Sequence, residues 1–301
     1  MRKRLAHALD RRFESLHHRV GQLAEQLAEL QQVVGAMDAD LKATLGALGA
    51  RFDDELSPTL RILAGRDSES RRLLAEARAD PAYELAFTEP EPLVTVILPT
   101  YQRAELLRSR ALPAVLQQTH DRLEVLVIGD GPDPAAEEVV RQARDERVRW
   151  TNVSQRYVYP DPHRHWLAIS TLARNEGYRL ASGRWLFDFD DDDSLPPDAI
   201  ESLLAAARER RAEAVQGVMR SHGPDGPQGD IHGVLPDQLP LKGALVHAHL
   251  RFFEREHVAS ALGAVGDWFR GERMLRAGVR IELLDHVTYD YYPSTLWLAG
   301  S

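Results

Sequence analysis

The sequence predicts an α/β protein with a mostly parallel sheet, helices on both faces, and a coiled-coil helix ahead of it. Three observations carry this reading. From Leu93 onward, short apolar β-type runs alternate with helical stretches, the order that builds parallel βαβ units. Upstream, Phe13, Leu16, Val20, Leu23, Leu27, Leu30, Val34, Met37 and Leu41 alternate spacings of three and four, the a/d pattern of a coiled coil. Between the two lies a segment ending Thr88-Glu-Pro-Glu-Pro92, too proline-rich for helix or central strand. The expected boundaries are a coiled-coil helix over 1–57, a linker over 58–92 and an α/β domain over 93–301.

The helix comes first. Leu45, Leu48 and Phe52 extend its stripe after one added four-residue step, a stutter. Gly46 and Gly49 weaken the last turns and Pro58 ends the pattern. A lone helix cannot bury such a stripe, and the chain has no second stripe of similar length. Self-association through residues 13–56 is therefore expected. In the linker only Ser70 to Arg78 reads as helical.

The α/β part follows in order. Strands are expected at Val94 to Leu98, Leu123 to Ile128, Val148 to Val153, Trp185 to Phe189 and Ala214 to Met219. Helices fall between them at Ala104 to Gln118, Ala135 to Glu146, Trp166 to Ala181 and Pro197 to Arg208. Ser221 to Gly233 is rich in Gly, Pro and Asp and reads as a loop. A strand near Leu245, helices near Arg255 and over Trp268 to Ala277, and a strand at Val279 to Leu284 complete the chain. There are no internal repeats.

Composition narrows the function. The 301 residues are 44% hydrophobic and 28% charged, a balance that suits a globular protein. The net charge of -9 disfavours a nucleic-acid partner. The absence of cysteine removes disulfides, thiolate metal sites and cysteine nucleophiles. No apolar run approaches the roughly 18 residues of a membrane span. The start, Met-Arg-Lys-Arg-Leu-Ala-His, has no apolar stretch after its charges and is not a secretory signal. The expected location is the cytoplasm. Arg2, Lys3, Arg4, Arg11 and Arg12 would allow contact with anionic lipid at the inner face of the membrane, a solvated helix face being the alternative. Arginine supplies the basic residues except Lys3, Lys42 and Lys242.

The most informative stretch is Arg184 to Pro197. A β-type run, Trp185 to Phe189, leads into Asp190, Asp191, Asp192 and Asp193, and Pro196-Pro197 then open a helix. Adjacent carboxylates repel one another unless a cation holds them. Hard oxygen ligands select magnesium, manganese or calcium, and a strand-to-loop edge is where α/β sheets bind ligands. A solvated acidic loop is the alternative. An EF-hand is excluded, because Asp193 stands where its glycine belongs and Ala199 where its glutamate belongs.

Six segments, in order, then resemble glycosyltransferase family 2 with the GT-A fold. Val94-Thr-Val-Ile-Leu-Pro-Thr-Tyr-Gln-Arg103 resembles its opening strand and turn, and Leu116-Gln-Gln-Thr119 the end of its first helix. Glu124-Val-Leu-Val-Ile-Gly-Asp-Gly131 resembles its second strand and Asp-Asp-Gly-Ser loop. Ala173-Arg-Asn-Glu-Gly177 with Ala181-Ser-Gly183 resembles its Ala-Arg-Asn helix. Asp190 to Asp193 stand at its Asp-x-Asp metal motif. Gly266-Asp-Trp268, with Arg273 and Gly278, resembles its Glu-Asp-Trp segment.

The resemblance implies a metal-dependent inverting transferase in bacterial glycan or glycoconjugate synthesis. It would move a sugar from a nucleotide-diphosphate donor, a UDP-sugar first among them, to an acceptor hydroxyl. The implied cofactor is Mg2+ or Mn2+, which neutralises charge on the departing diphosphate. Asp192 leads as metal ligand; Asp190 contacts the ribose or the metal, and Asp193 assists. Helix capping is the alternative for Asp193. Asp130 matches the aspartate that binds the nucleotide base, with a turn role as its alternative. Tyr101 would stack on the base or simply pack, and Thr100 adjoins it. Arg103 lies near the phosphates. Arg174 reaches the nucleotide or Asp190, or forms a plain salt bridge. Asp267 is the candidate catalytic base, or a helix cap.

Several departures accompany the match. Gly129-Asp-Gly-Pro132 replaces the Asp-Asp-Gly-Ser loop, Gly266 replaces a glutamate, and Tyr289-Asp-Tyr-Tyr292 replaces Tyr-Arg-x-His. His247, His249 and His286 are candidate third ligands, and none is assigned. Two other readings compete. A sugar nucleotidyltransferase would carry a glycine-rich, basic loop where Pro99-Thr-Tyr-Gln-Arg103 stands. A coiled-coil scaffold with an inactive transferase domain draws support from Gly266.

Overall fold

A computed structural model describes the backbone of residues 2–223, 226–231, 241–263 and 266–293; the side chains of 2–20, 24, 55, 58 and 63 lie outside that description. The chain divides into two compact units, Met1–Pro58 and Thr59–Ser301.

The first unit is the helix Arg2–Arg51 followed by a π-helical turn, Phe52–Leu56. Leu23, Leu27, Leu30, Val34, Met37, Leu41, Leu45 and Leu48 are each 58–67% exposed. Phe13, Leu16 and Val20, the start of the stripe, lie outside the described side chains, as do the basic residues expected near lipid.

The second unit is built on one mixed sheet. β1 (Val94–Thr100) lies at its centre, parallel to β2 (Leu123–Gly129) and β4 (Trp185–Asp188), with β3 (Val148–Asn152) parallel to β2. β7 (Ala244–His247) runs antiparallel to β4 and to β5 (Ala214–Gly223). β6 (Gly226–Ile231) forms a hairpin with β5, and β8 (Ile281–Tyr291) pairs parallel with β5. The strand order is β3-β2-β1-β4-β7-β5-β6.

Every residue of β1 and β2 is buried, because both faces are covered by helices. On one face Val94, Val96 and Leu98 pack with Leu107, Val115, Val139 and Leu203. On the other, Ile97 and Ile128 pack with Ala173 and Tyr178 of the helix Thr171–Leu180. That helix lies close to the sheet. A Cβ on Gly177 would come 2.5 Å from Ile97 Cγ2, so only glycine fits there. The shared direction of β1, β2 and β4 brings Thr100, Asp130 and the aspartates after Asp188 to one edge.

The expected linker is not a linker. Residues 57–79 form a helix, Ser57–Ala79, with Pro58 near its start, directly after the helical turn Phe52–Leu56. Leu74 is 2% exposed and packs with Phe253, Met274 and Val279. Arg78 donates two hydrogen bonds of 2.7 Å to buried Glu213, which also accepts from the Tyr83 hydroxyl. Burial opposes ionisation of Glu213, but Arg78, the Arg280 N–H and Tyr83 outweigh it and hold the carboxyl below its usual range. Pro81 opens a 3-10 turn, Pro81–Glu84, capped by Asp80 accepting from Ala82 N–H at 2.8 Å. Tyr83, Ala86 and Phe87 join the main core. The apolar residues of this stretch find partners far downstream, Leu74 at Phe253, Tyr83 at His247 and Phe87 at Trp185, which no local pattern reveals.

Three smaller expectations change. The helix expected over Trp166 to Ala181 is two, Pro162–Ala168 and Thr171–Leu180, broken at Ser170 in a left-handed conformation (φ 55°). The stretch Ala104 to Gln118 is helical only to Leu116 and has a π-helical middle, Leu107–Ala111. Ser221 to Gly233, read as a loop, contributes the end of β5 and all of β6 within its described residues.

Leu74→Ala tests whether the helix Ser57–Ala79 is part of the folded unit. Losing a buried leucine should cost about 2–4 kcal/mol in urea unfolding. A loss under about 0.5 kcal/mol would return this helix to the status of a linker.

Candidate active site

Five aspartates stand in the six positions 188–193, and the structure gives them different surroundings. Asp188 ends β4 and is buried. It accepts from the Tyr178 hydroxyl at 2.6 Å, from Arg270 Nη1 at 3.1 Å and from Arg255 Nη2 at 3.4 Å, with Arg174 Nη1 at 3.9 Å. Burial opposes its ionisation, but the three guanidinium groups outweigh that and hold it below the usual carboxylate range. Asp188 is thus the anchor of an internal ion cluster.

The other four form the rim of the sheet edge. Asp190 pairs with Arg174 and, at 2.8 Å, with Lys242 Nζ. Burial works against its charge, but Lys242 and Arg174 prevail and keep it well below its usual range. Asp193 is fully buried. It accepts from Lys242 Nζ, the Tyr289 hydroxyl and the Tyr292 N–H, each at 2.8 Å. Burial, with repulsion from Asp190 and Asp192, pushes its carboxyl up to about 6 despite Lys242. Asp192 accepts from Arg103 Nη1 at 2.6 Å, and its backbone carbonyl accepts from Arg110. Asp191 accepts from the Thr100 hydroxyl at 2.7 Å and from Arg103 at 3.2 Å. Burial pushes it up to about 7, only partly offset by Arg103 and Thr100.

One ligand oxygen from each of Asp190, Asp192 and Asp193 lies within 4.8 Å of the others. Hard carboxylate oxygens at that convergence suit a magnesium- or manganese-class ion, so these residues fit one. The histidines do not join them. His247 is stacked on Tyr83, and its burial brings its pKa down to about 4 against the hydrogen bond to the Tyr83 carbonyl. His249 pairs with Asp80 and His286 with Asp198.

A second part of the rim surrounds Asp130, the residue after β2. Its N–H donates to the Thr100 carbonyl at 2.8 Å, tying the ends of β1 and β2 together. Its carboxylate accepts from the Ser170 N–H at 3.2 Å, which explains the break at Ser170. Arg156 Nε lies 3.6 Å from the same carboxylate. Burial raises the Asp130 pKa against these two groups. The Arg156 guanidinium also covers the Tyr101 ring, 3.6 Å from its centroid. Thus Tyr101 and Asp130 jointly hold a flat, hydrogen-bonding cation.

Asp267 lies in the first turn of the helix Gly266–Ala277 and accepts from the Trp268 N–H at 2.9 Å. Arg255, buried beside Asp188, lies in the fields of Tyr178, Asp188 and Asp267, which together raise its pKa against the cost of burial. A Cβ on Gly266 would stand 3.6 Å from Arg255 Cδ. Arg255 itself contacts Asp188 at 3.4 Å, so the candidate base and the buried end of β4 lie in the field of one arginine.

Thr100, Arg103, Arg174 and Asp190 to Asp193 are brought together, as are Tyr101 and Asp130. Sequence reading missed Lys242, Arg156, Arg255 and Tyr289. Lys242 had one visible signal. In a chain with 37 lysines and arginines it is one of three lysines, and the other two are Lys3 and Lys42.

The raised Asp191 pKa sets a pH dependence. Between the ~3.9 of a free aspartate and about 7, the native state keeps a proton that the unfolded chain has lost. This contribution stabilises the fold at low pH and is lost as pH rises through about 7. Asp191→Asn carries a permanently neutral side chain. In chelator, its stability relative to wild type should rise by about 1–3 kcal/mol between about pH 5 and about pH 8 in urea titrations. A flat difference across that range would show that Asp191 ionises normally.

The chain is similar to known proteins in sequence and in fold. Residues 95–259 match the model of the family described as Glycosyl transferase family 2. The chain is 33% identical over 156 residues to validoxylamine A glucosyltransferase of Streptomyces hygroscopicus subsp. jinggangensis, covering 51% of this chain and 35% of that protein. It is 34% identical over 143 residues to the succinoglycan biosynthesis protein ExoM of Rhizobium meliloti, covering 46% and 43%. The chain thus spans less than half the length of these relatives. Among solved structures, S. aureus TarS 1-349 superposes with a TM-score of 0.51 at 18% identity, over 66% of this chain and 60% of that one, a likeness of fold that identifies the sheet as GT-A. The family match runs from the second residue of β1 past Arg255 and takes in the whole aspartate edge, and by it the chain belongs to glycosyl transferase family 2.

Proposed function

We propose that this glycosyltransferase is an inverting, metal-dependent enzyme that moves a sugar from a nucleotide-diphosphate donor to an acceptor hydroxyl in bacterial glycan or glycoconjugate synthesis. The observation that carries the reading is the convergence of Asp190, Asp192 and Asp193 within 4.8 Å. A bound Mg2+ or Mn2+ would supply positive charge to the leaving diphosphate.

The chain's own residues divide the remaining work. Asp130 accepts from the nucleobase and Tyr101 stacks on it, once Arg156 yields that face. Thr100 fixes Asp191 and the end of β1. Arg103 and Arg174 stand beside the aspartates, where a diphosphate would need further positive charge, and Asp190 is shared between metal and nucleotide. Structures of the neighbour TarS with UDP and with UDP-GlcNAc support a UDP-sugar as donor. The relatives' names support a place in bacterial glycan synthesis.

Inversion needs a base on the face of the sugar opposite the diphosphate. Asp267, in the first turn of the helix Gly266–Ala277, would take the acceptor's proton. A panel of nucleotide-sugars incubated with Mn2+, and again with excess chelator, tests the reading. Transfer at full rate in chelator would remove the metal from the mechanism, and no turnover of any donor would favour the inactive-scaffold alternative.

The residue-level test uses Asp267→Asn. The amide can still accept from Trp268 N–H but cannot act as base. This variant should keep its melting temperature and nucleotide affinity while kcat falls by roughly two to four orders of magnitude. A near-normal kcat would move the base elsewhere.

The N-terminal unit supports self-association through residues 13–56, with peripheral contact at the inner face of the membrane as its further role. No helix among the described residues is long and apolar enough to cross a membrane. Leu27→Glu with Leu30→Glu places two charges on the apolar stripe. By light scattering the wild-type chain should run as a dimer or trimer and the double variant as a monomer. A monomeric wild type would end the idea.

A further inference from the structure

Lys242 holds a position that neither the proposed nucleotide contacts nor the base requires. Its Nζ lies 2.8 Å from Asp190 Oδ2 and 2.8 Å from Asp193 Oδ2. These are two of the three carboxylates whose oxygens converge. The ammonium also faces the Tyr291 ring, 4.2 Å from its centroid. The other cations here are arginines tied down by several partners: Arg174 between Asp188 and Asp190, and Arg103 between Asp191 and Asp192. A guanidinium is a rigid fork, whereas lysine carries a compact charge on a flexible stem.

The backbone at this point is held, while the charge is carried at the end of a four-carbon stem. The Lys242 carbonyl accepts from Gln216 Nε2 at 3.3 Å. The next residue, Gly243, has φ 65° and backs onto the Tyr289 ring so closely that a Cβ would clash. The ammonium thus sits on two of the carboxylates that a divalent ion would use. A divalent ion needs them at about 2.0–2.1 Å, and an adjacent ammonium would repel it.

We propose that Lys242 is a tethered counter-cation that holds the metal seat in the ligand-free enzyme and surrenders Asp190 and Asp193 when a divalent ion binds. It is a charge-holding residue for the site. It keeps the aspartate edge folded without metal, and it lowers affinity for free metal. The inference rests on the metal-dependent reading above.

The test is Mn2+ binding to the full chain without nucleotide, read by the electron paramagnetic resonance of unbound Mn2+. Lys242→Met should bind Mn2+ at least about tenfold more tightly than wild type, the effect of about 1.4 kcal/mol of relieved repulsion. In chelator its melting temperature should fall below wild type and recover with Mn2+. Lys242→Arg should behave as wild type in chelator. Equal or weaker Mn2+ binding by Lys242→Met overturns the proposal and leaves the metal site standing. Absence of binding in every variant overturns both.

A second measurement needs no variant. With only three lysines in the chain, reductive methylation followed by mass spectrometry reports Lys242 separately from Lys42, which is 74% exposed. Lys242 should react severalfold more slowly than Lys42 without metal and speed up when Mn2+ is added. Reactivity that does not change with Mn2+ overturns the exchange.

Discussion

The structure is organised around the need to neutralise the run Asp188 to Asp193. Removing a carboxylate from water costs several kcal/mol unless a partner compensates. Every layer of the Thr59–Ser301 unit supplies one. Arg103 and Arg110 come from the segment after β1, Arg174 from a helix on the opposite face, and Lys242 from the entry to β7. Arg255 and Arg270 come from the C-terminal third. These residues meet because β1, β2 and β4 run the same way and end at the same edge. The parallel sheet and the acidic edge thus depend on each other. The sheet gathers the charges, and the charges bind helices and strands to the sheet's rim.

The partition among the aspartates follows from this. Asp188 is buried and has three arginines nearby. Asp191, nearly as buried, has one arginine and a hydroxyl, so it resists ionisation. Asp190, Asp192 and Asp193 bring their oxygens together, with Lys242 bridging two of them and Arg103 and Arg174 holding Asp192 and Asp190. One continuous acidic motif therefore contains a structural anion, a reluctant acid and a set of candidate ligands. Their differences come from neighbours far away in the chain.

That distance decides what the sequence could reveal. The order of strands and helices after Leu93 was legible, because buried parallel strands are short apolar runs and helices between them are periodic. The family resemblance located the same acidic edge that the structure assembles. Residues 58–92 misled, because Pro81, Pro90 and Pro92 signal interruption locally while Leu74, Tyr83 and Phe87 are packed by residues much farther along. The stretch Ser221 to Gly233 misled for a similar reason. Its glycines and Pro227 suit a turn, but β8 pairs alongside β5 and extends the strand. Arg156 over Tyr101 and Lys242 between two aspartates leave no periodic trace. Such contacts depend on side-chain reach across loops, and charge counting alone cannot assign partners.

The end of β8 closes over the aspartates. Ser194 and Asp290 exchange backbone hydrogen bonds of 3.0 and 2.9 Å, while Tyr289 and Tyr292 hold Asp193 across sequence separations of 96 and 99 residues. Contacts of such separation form late, because the chain must first close a long loop. During synthesis the β1–β2 half can collapse while the ribosome is still making the second half. The acidic edge must wait, without its tyrosine clasp, until residue 292 has emerged from the exit tunnel. The nascent protein therefore acquires the β1–β2 half of its sheet before this clasp, and a chain stalled or cut short of β8 would leave Asp193 without the partners that Tyr289 and Tyr292 supply.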